Sequence, residues 1–132
     1  MTLRWFGSKF DSVTLSQIRQ IPGVKGVITT LYDTVPGEEW NKDEIHALKK
    51  EVEDSGLKIM GIESVNVCDA IKVGASDRDK YIDNYIKTLT YLGEEDIHTV
   101  CYNFMPVFDW TRTELARLRE DGSTVMAYTQ DA

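Results

Sequence analysis

The stretch Val100-Cys101-Tyr102-Asn103-Phe104-Met105-Pro106-Val107-Phe108-Asp109-Trp110-Thr111-Arg112 changes character halfway along. Ile97, Val100 and Tyr102, with Cys101 between them, read as a buried strand over about His98 to Asn103. Asn103 and Pro106 then interrupt it, because proline cannot donate to a sheet. From there to Arg112 the chain is aromatic, polar and charged. A strand that opens into Asn, Trp, Asp and Arg has the layout of a strand feeding a site-forming loop. A strand leading into a packed, aromatic-rich loop is the plainer reading of the same pattern.

Upstream, the same alternation repeats. Thr2 to Phe6 is a short strand ending at Gly7. Thr14-Leu15-Ser16-Gln17 is a capping box, with Leu15 and Ile18 defining a short helix that Pro22-Gly23 ends. Val24 to Leu31 is a second strand, broken by Val35-Pro36-Gly37. Asn41 caps the next helix. Its apolar residues Ile45, Leu48 and Val52 are spaced by three and four, and Gly56 stands where a left-handed terminal residue belongs. Leu57 to Val65 is a third strand and Val67 to Gly74 a loop. Ser76 with Asp79 caps a third helix, whose apolar face is Ile82, Tyr85, Ile86, Leu89 and Leu92 and which Gly93 closes. Asp121-Gly122, between Leu115–Leu118 and Thr124–Tyr128, predicts a hairpin; a short helix over Thr113–Arg119 is the competing assignment.

Strands alternating with helices argue for parallel βαβ units. The strands lack clean in/out alternation, as expected when both faces are covered. The pattern fits a small open α/β sheet or the first half of an eight-stranded barrel, and periodicity does not separate them. Phe6-Gly7-Ser8-Lys9 carries no Gly-rich phosphate loop, which argues against a nucleotide site.

The chain has 132 residues, 42% hydrophobic and 28% charged, one domain's length or less. Its formal net charge of -7 disfavours nucleic acid or an anionic membrane as partner. No apolar run approaches the roughly 18 residues of a membrane span, and Met1 to Phe6 has no secretory core. Cys68 and Cys101 lie far apart and nothing indicates an oxidising compartment, so free thiols and a cytoplasmic location are expected.

In a barrel, chemistry sits at the C-terminal ends of strands. Those positions here are Trp5 to Gly7, Thr29 to Tyr32, Glu63 to Val65, and Asn103 to Arg112. The substrate-pocket candidates are Arg4, Trp5, Glu63, Ser64, Asn103 and Trp110. Arg4 could bind a carboxylate bidentately, and Glu63 could orient a sugar hydroxyl; a structural ion pair, for instance between the two, is the favoured reading of each. Trp5 and Trp110 offer apolar walls with an indole donor, or simple packing. Asp109 and Arg112, three apart, could pair within the loop. A divalent metal wants clustered His, Cys, Asp or Glu. His46 is expected to face solvent mid-helix, His98 sits at the non-catalytic end of its strand, and Cys101 reads as a buried small hydrophobe. No metal ligand and no catalytic residue is assigned.

Val100 to Arg112 resembles the most characteristic segment of the mannonate dehydratases. So do Leu3-Arg4-Trp5-Phe6-Gly7, Gln17 to Val24, Ile62-Glu63-Ser64-Val65 and Arg78 to Tyr85, in family order and at family spacing. The resemblance covers residues 3 to about 128, but only the N-terminal part of the family's chain. It implies the N-terminal half of a (β/α)8 TIM barrel, residues 1–132 forming one partial domain. A complete barrel needs about 250 residues.

The resemblance also implies dehydration of D-mannonate to 2-dehydro-3-deoxy-D-gluconate in hexuronate catabolism. It further implies a Mn2+ or Fe2+ ion whose ligands lie beyond this chain. Where the family commonly has Pro-Val-His, this chain has Asn66-Val67-Cys68, so no role is carried onto that loop. A half barrel exposes its apolar interior, so self-association or homo-oligomerisation is expected, with little activity from the isolated chain. The other readings are a metal-dependent sugar isomerase or epimerase on a related barrel, and a non-catalytic assembly fragment.

Overall fold

The computed structural model describes residues 1–105 and 111–130. The elements run β1 (Thr2–Arg4), α1 (Leu15–Arg19), β2 (Gly26–Thr29), α2 (Lys42–Asp54), β3 (Lys58–Glu63), α3 (Asp69–Lys72), α4 (Arg78–Glu94) and β4 (Val100–Cys101). A hairpin of β5 (Glu114–Leu118) and β6 (Thr124–Ala127) comes last.

The helix ends form as the local sequence dictates. Thr14 and Gln17 make a reciprocal capping box, the Gln17 amide donating to Thr14 Oγ1 at 3.2 Å and the Thr14 amide to Gln17 Oε1 at 2.8 Å. Asn41 Oδ1 accepts from the Asp43 amide at 2.8 Å. At the end of α2, Gly56 takes φ 78°, the Gly56 amide donates to the Glu53 carbonyl and the Leu57 amide to the Val52 carbonyl. Leu57 and Val52 then share one core cluster, so the turn that stops the helix also delivers Leu57 to the interior.

The β1–β4 sheet is parallel, with strands in sequence order. The register places Leu3, Val27 and Ile59 in one row and Thr29, Ile62 and Val100 in the next. These rows face the helices. One core cluster joins Trp5, Leu15, Ile18, Val24, Val27, Val52 and Leu57. The second joins Trp40, Ile45, Ile62, Val65, Leu92 and Ile97. Full burial of aliphatic side chains such as Val27, Val52 and Ile62 stabilises by about 1.5–3 kcal/mol each relative to exposure. Arg4, Ile28, Glu63 and Cys101 alternate onto the opposite face, where no helix packs among the described residues.

Several expectations are corrected. The Val67–Gly74 segment holds a single helical turn, α3. The long helix starts after Asp77 rather than from a Ser76–Asp79 cap, and Asp77 makes no side-chain capping bond. It also continues through Gly93. Asp96 takes the left-handed conformation at φ 62°, the Asp96 amide reaches the Gly93 carbonyl and the Ile97 amide the Leu92 carbonyl. The reason is tertiary: this turn sets Ile97 against Leu92 in the second cluster, and Asp tolerates the left-handed region.

On α4, Thr88 and Leu92 are buried, whereas Ile86 and Leu89, expected on the apolar face, are exposed. The fourth strand is only Val100–Cys101. Tyr102, expected within a buried strand, is exposed, and so is Cys101, expected as a buried hydrophobe. Cys101 lies on the uncovered face of the last strand of the sheet. An apolar groove of about 240 Å³ runs beside it, lined by Val67, Ile71, Ile82, Tyr85, Ile86, Tyr102 and Phe104.

The Asp121-Gly122 turn does close a hairpin, Leu118 pairing with Thr124, and the competing helix over Thr113–Arg119 does not form. No helix among the described residues is long and apolar enough to cross a membrane.

Candidate functional site

The C-terminal ends of β1, β2 and β3 meet at one edge of the sheet. Arg4 is the last residue of β1 and Glu63 the last of β3. In register, Arg4 lies beside Ile28 and Ile28 beside Gly61, so the long Arg4 side chain spans β2 and its Nη1 forms an ion pair with Glu63 Oε2. The Arg4 and Glu63 side chains are 30% and 50% exposed. At that exposure solvent screens the pair, and its contribution to stability is small. Its geometric consequence is larger: it fixes a cation and a carboxylate side by side where ligands bind in parallel α/β folds.

Arg4 has further restraints. Its Nε donates to Tyr32 Oη at 3.2 Å, and its Cζ lies 5.0 Å from the centroid of Phe6. The Tyr32 hydroxyl donates to the Trp5 carbonyl at 3.3 Å. The Tyr32 ring packs against Phe6 and Phe10, with centroids 5.9 and 5.8 Å away.

The loop carrying both phenylalanines is shaped by Asp11, whose carboxylate accepts from the Phe6 amide at 3.0 Å and the Val13 amide at 2.9 Å. Those bonds hold the Asp11 carboxyl below its ordinary pKa. Lys9 and Asp33, 2.8 Å apart, tie this loop to the one after β2. On the other side, Thr30 Oγ1 donates to the Ser64 carbonyl at 2.9 Å, and Ser64 Oγ to Asn66 Oδ1 at 2.9 Å.

Of the sequence candidates, the fold therefore brings Arg4, Glu63 and Ser64 to one edge. Asn103, two residues past β4, is half-buried. Trp5 is elsewhere: it is 1% exposed in the first core cluster, with Nε1 donating to the Val13 carbonyl at 3.2 Å. Alternation from Arg4 turns Trp5 to the helix side. Trp110 and Asp109 lie outside the described residues, so Asp109's suggested pairing with Arg112 does as well.

Tyr32, Phe6 and Phe10 were not singled out in sequence. Their only advance signal is that Phe6 and Tyr32 fall in the stretches after the first two strands. His46 is exposed and 3.0 Å from Glu95, and His98 is exposed and 2.7 Å from Asp96. Among the described residues no group of three or more His, Cys, Asp or Glu could hold a metal ion. The donor set that Mn2+ or Fe2+ requires is therefore not supplied by them.

A family profile described as D-mannonate dehydratase (UxuA) matches residues 1–132. The chain is 70% identical to a mannonate dehydratase of Brachyspira hyodysenteriae over 99% of its own length and 37% of that protein's. It is 54% identical to a mannonate dehydratase of Thermotoga maritima, over 97% of this chain and 36% of that one. The crystal structure of mannonate dehydratase from Streptococcus suis serotype 2 superposes with a TM-score of 0.91 at 46% identity, covering 99% of this chain and 37% of that one. The chain thus spans little more than a third of the length of these relatives.

Proposed function

The chain belongs to the D-mannonate dehydratase family, and from that premise we propose that it supplies the first four strands, with the helices that connect them, of a (β/α)8 barrel that dehydrates D-mannonate. The product is 2-dehydro-3-deoxy-D-gluconate, formed in the cytoplasm during hexuronate catabolism. The observation that carries this reading is the family match across residues 1–132 on a parallel sheet whose strands run in sequence order. In the whole protein, polypeptide outside these residues covers the face bearing Ile28 and Cys101 and the groove lined by Ile86, Tyr102 and Phe104.

The edge residues suit a polyhydroxy acid. Arg4 offers a guanidinium to the carboxylate, while Glu63 and Ser64 offer acceptors and a donor to hydroxyls. Asn103, Trp5 and Trp110 complete the proposed pocket contribution, Trp5 from behind the wall rather than on its surface. Dehydration needs a base for the C2 proton and an acid for the departing C3 hydroxyl. Neither role is assigned to a described residue. The described residues do not fit a divalent ion, so any Mn2+ or Fe2+ takes its ligands from elsewhere in the protein.

The test is a chimera in which residues 1–132 replace the matching segment of the Brachyspira relative, incubated with D-mannonate and Mn2+ and assayed for the 2-keto product. Turnover by the chimera and none by the isolated 132-residue chain is expected. A folded chimera without dehydratase activity overturns the proposal. The isolated chain, with its uncovered apolar face, is expected to self-associate in size-exclusion with light scattering; a sharp, cooperatively melting monomer overturns that part.

A further inference from the structure

We infer that Tyr32 is a positioning residue, holding the Arg4 guanidinium in the attitude that receives the carboxylate of a sugar-acid ligand. This rests on the proposed sugar-acid substrate and names how the site recognises the acid. A free arginine side chain samples many rotamers, an entropy that binding would otherwise have to remove. Here it is removed in advance. Nε is engaged by the Tyr32 hydroxyl, Nη1 by Glu63, and the guanidinium lies over the Phe6 ring. Among the described residues Nη2 has no partner. The restraints therefore leave the Nη2 end of the planar donor set for a ligand.

Tyr32 can do this because it is itself immobilised. Its hydroxyl uses its own hydrogen on the Trp5 carbonyl, which turns a lone pair toward Arg4 Nε. Its ring is held between Phe6 and Phe10. Trp5 is buried in the first core cluster, so Arg4 is referenced through Tyr32 to the packed interior. Glu63 alone would not suffice. It is half exposed and can swing with Arg4 as a pair, whereas the hydroxyl–Nε bond fixes the guanidinium plane. The pair next to the ligand is formally neutral, so the carboxylate meets Nη2 without net repulsion from Glu63. Among the described residues Glu63 Oε1 has no partner, which leaves it to accept from a sugar hydroxyl.

The experiment uses the chimera and its Tyr32→Phe variant, which keeps the stacked ring and removes the hydroxyl. Three quantities are read: kcat and KM for D-mannonate, calorimetric binding of D-mannonate, and inhibition by mannitol, the uncharged polyol of the same length. The expected result is about a tenfold rise in KM and in the dissociation constant, the order of one hydrogen bond to a charged group. The change lies in KM rather than kcat, and mannitol inhibition is unaltered.

Wild-type affinity for the acid in Tyr32→Phe, or equal weakening toward acid and polyol, overturns the inference. A chimera that binds mannonate in a Tyr32-dependent way without dehydrating it supports the inference while sinking the dehydratase reading. A folded chimera that binds no sugar acid sinks both.

Discussion

Replacing Trp5 by Phe separates a residue that packs from one that touches substrate. Trp5 is 1% exposed, in contact with a cluster that includes Leu15, Ile18, Val27 and Val52, and its indole N–H donates to the Val13 carbonyl at 3.2 Å. The substitution removes roughly 40 Å³ of side chain, and at about 24 cal/mol per Å³ of residual cavity this costs ~1 kcal/mol. Losing the indole bond costs about 1 kcal/mol more, since Val13 is 46% exposed and its carbonyl regains water. The expected destabilisation is thus about 2 kcal/mol. In the chimera, a protein of which this chain supplies 37%, that corresponds to a Tm lower by about 3 °C, given about 2 cal/mol/K of unfolding entropy per residue. Urea denaturation and thermal melting measure the loss, and steady-state kinetics on D-mannonate accompany them. KM is expected to stay within twofold of the parent's. Unchanged stability together with a KM raised fivefold or more would refute the reasoning, because the indole would then have to face the ligand.

Two further outcomes rest on local geometry. Gly37→Ala in the same chimera is expected to lose about 1–3 kcal/mol in urea denaturation, because Gly37 has φ +91° and an added Cβ would meet the Tyr81 ring at 2.8 Å and Cys68 Sγ at 3.0 Å; wild-type stability would show that the loop after β2 does not lie against Tyr81 and Cys68. Asp11 has its folded pKa depressed by the Phe6 and Val13 amides, so its stabilising contribution is complete above the ordinary carboxyl pKa of about 3.9 and disappears as pH falls through the lower folded value. Asp11→Asn is therefore expected to flatten the acid limb of a stability–pH profile below about pH 4 relative to the parent, and an unchanged limb would show that the Asp11 carboxylate does not hold its loop.

The alternation of strands and long helices and the ends of α1 and α2 were legible because they are decided within a few residues. Thr14 with Gln17, Asn41 ahead of α2, Gly56 after it, and Asp121-Gly122 in the hairpin each specify a local hydrogen-bond pattern that needs no distant partner. An ion pair between Arg4 and Glu63 is already the favoured sequence reading of each. What makes it form is the register that sets β1, β2 and β3 side by side.

Other features were decided by tertiary structure alone. The helix that a glycine should have stopped runs on through Gly93, because burying Ile97 against Leu92 outweighs the local signal. Cys101 faces outward because it lies on the uncovered face of the last strand in the sheet. Trp5 turns to the core because alternation from Arg4 assigns it the helix side, whereas Tyr32, three residues past β2, reaches Arg4 from a loop whose partners are set by segments far away in the chain. Sequence alone thus determined the alternation of strands and long helices and the caps of α1 and α2, but neither α3 nor the ends of α4. Which side chains converge on Arg4 was settled only when residues 28 and 59 positions downstream came within hydrogen-bonding reach.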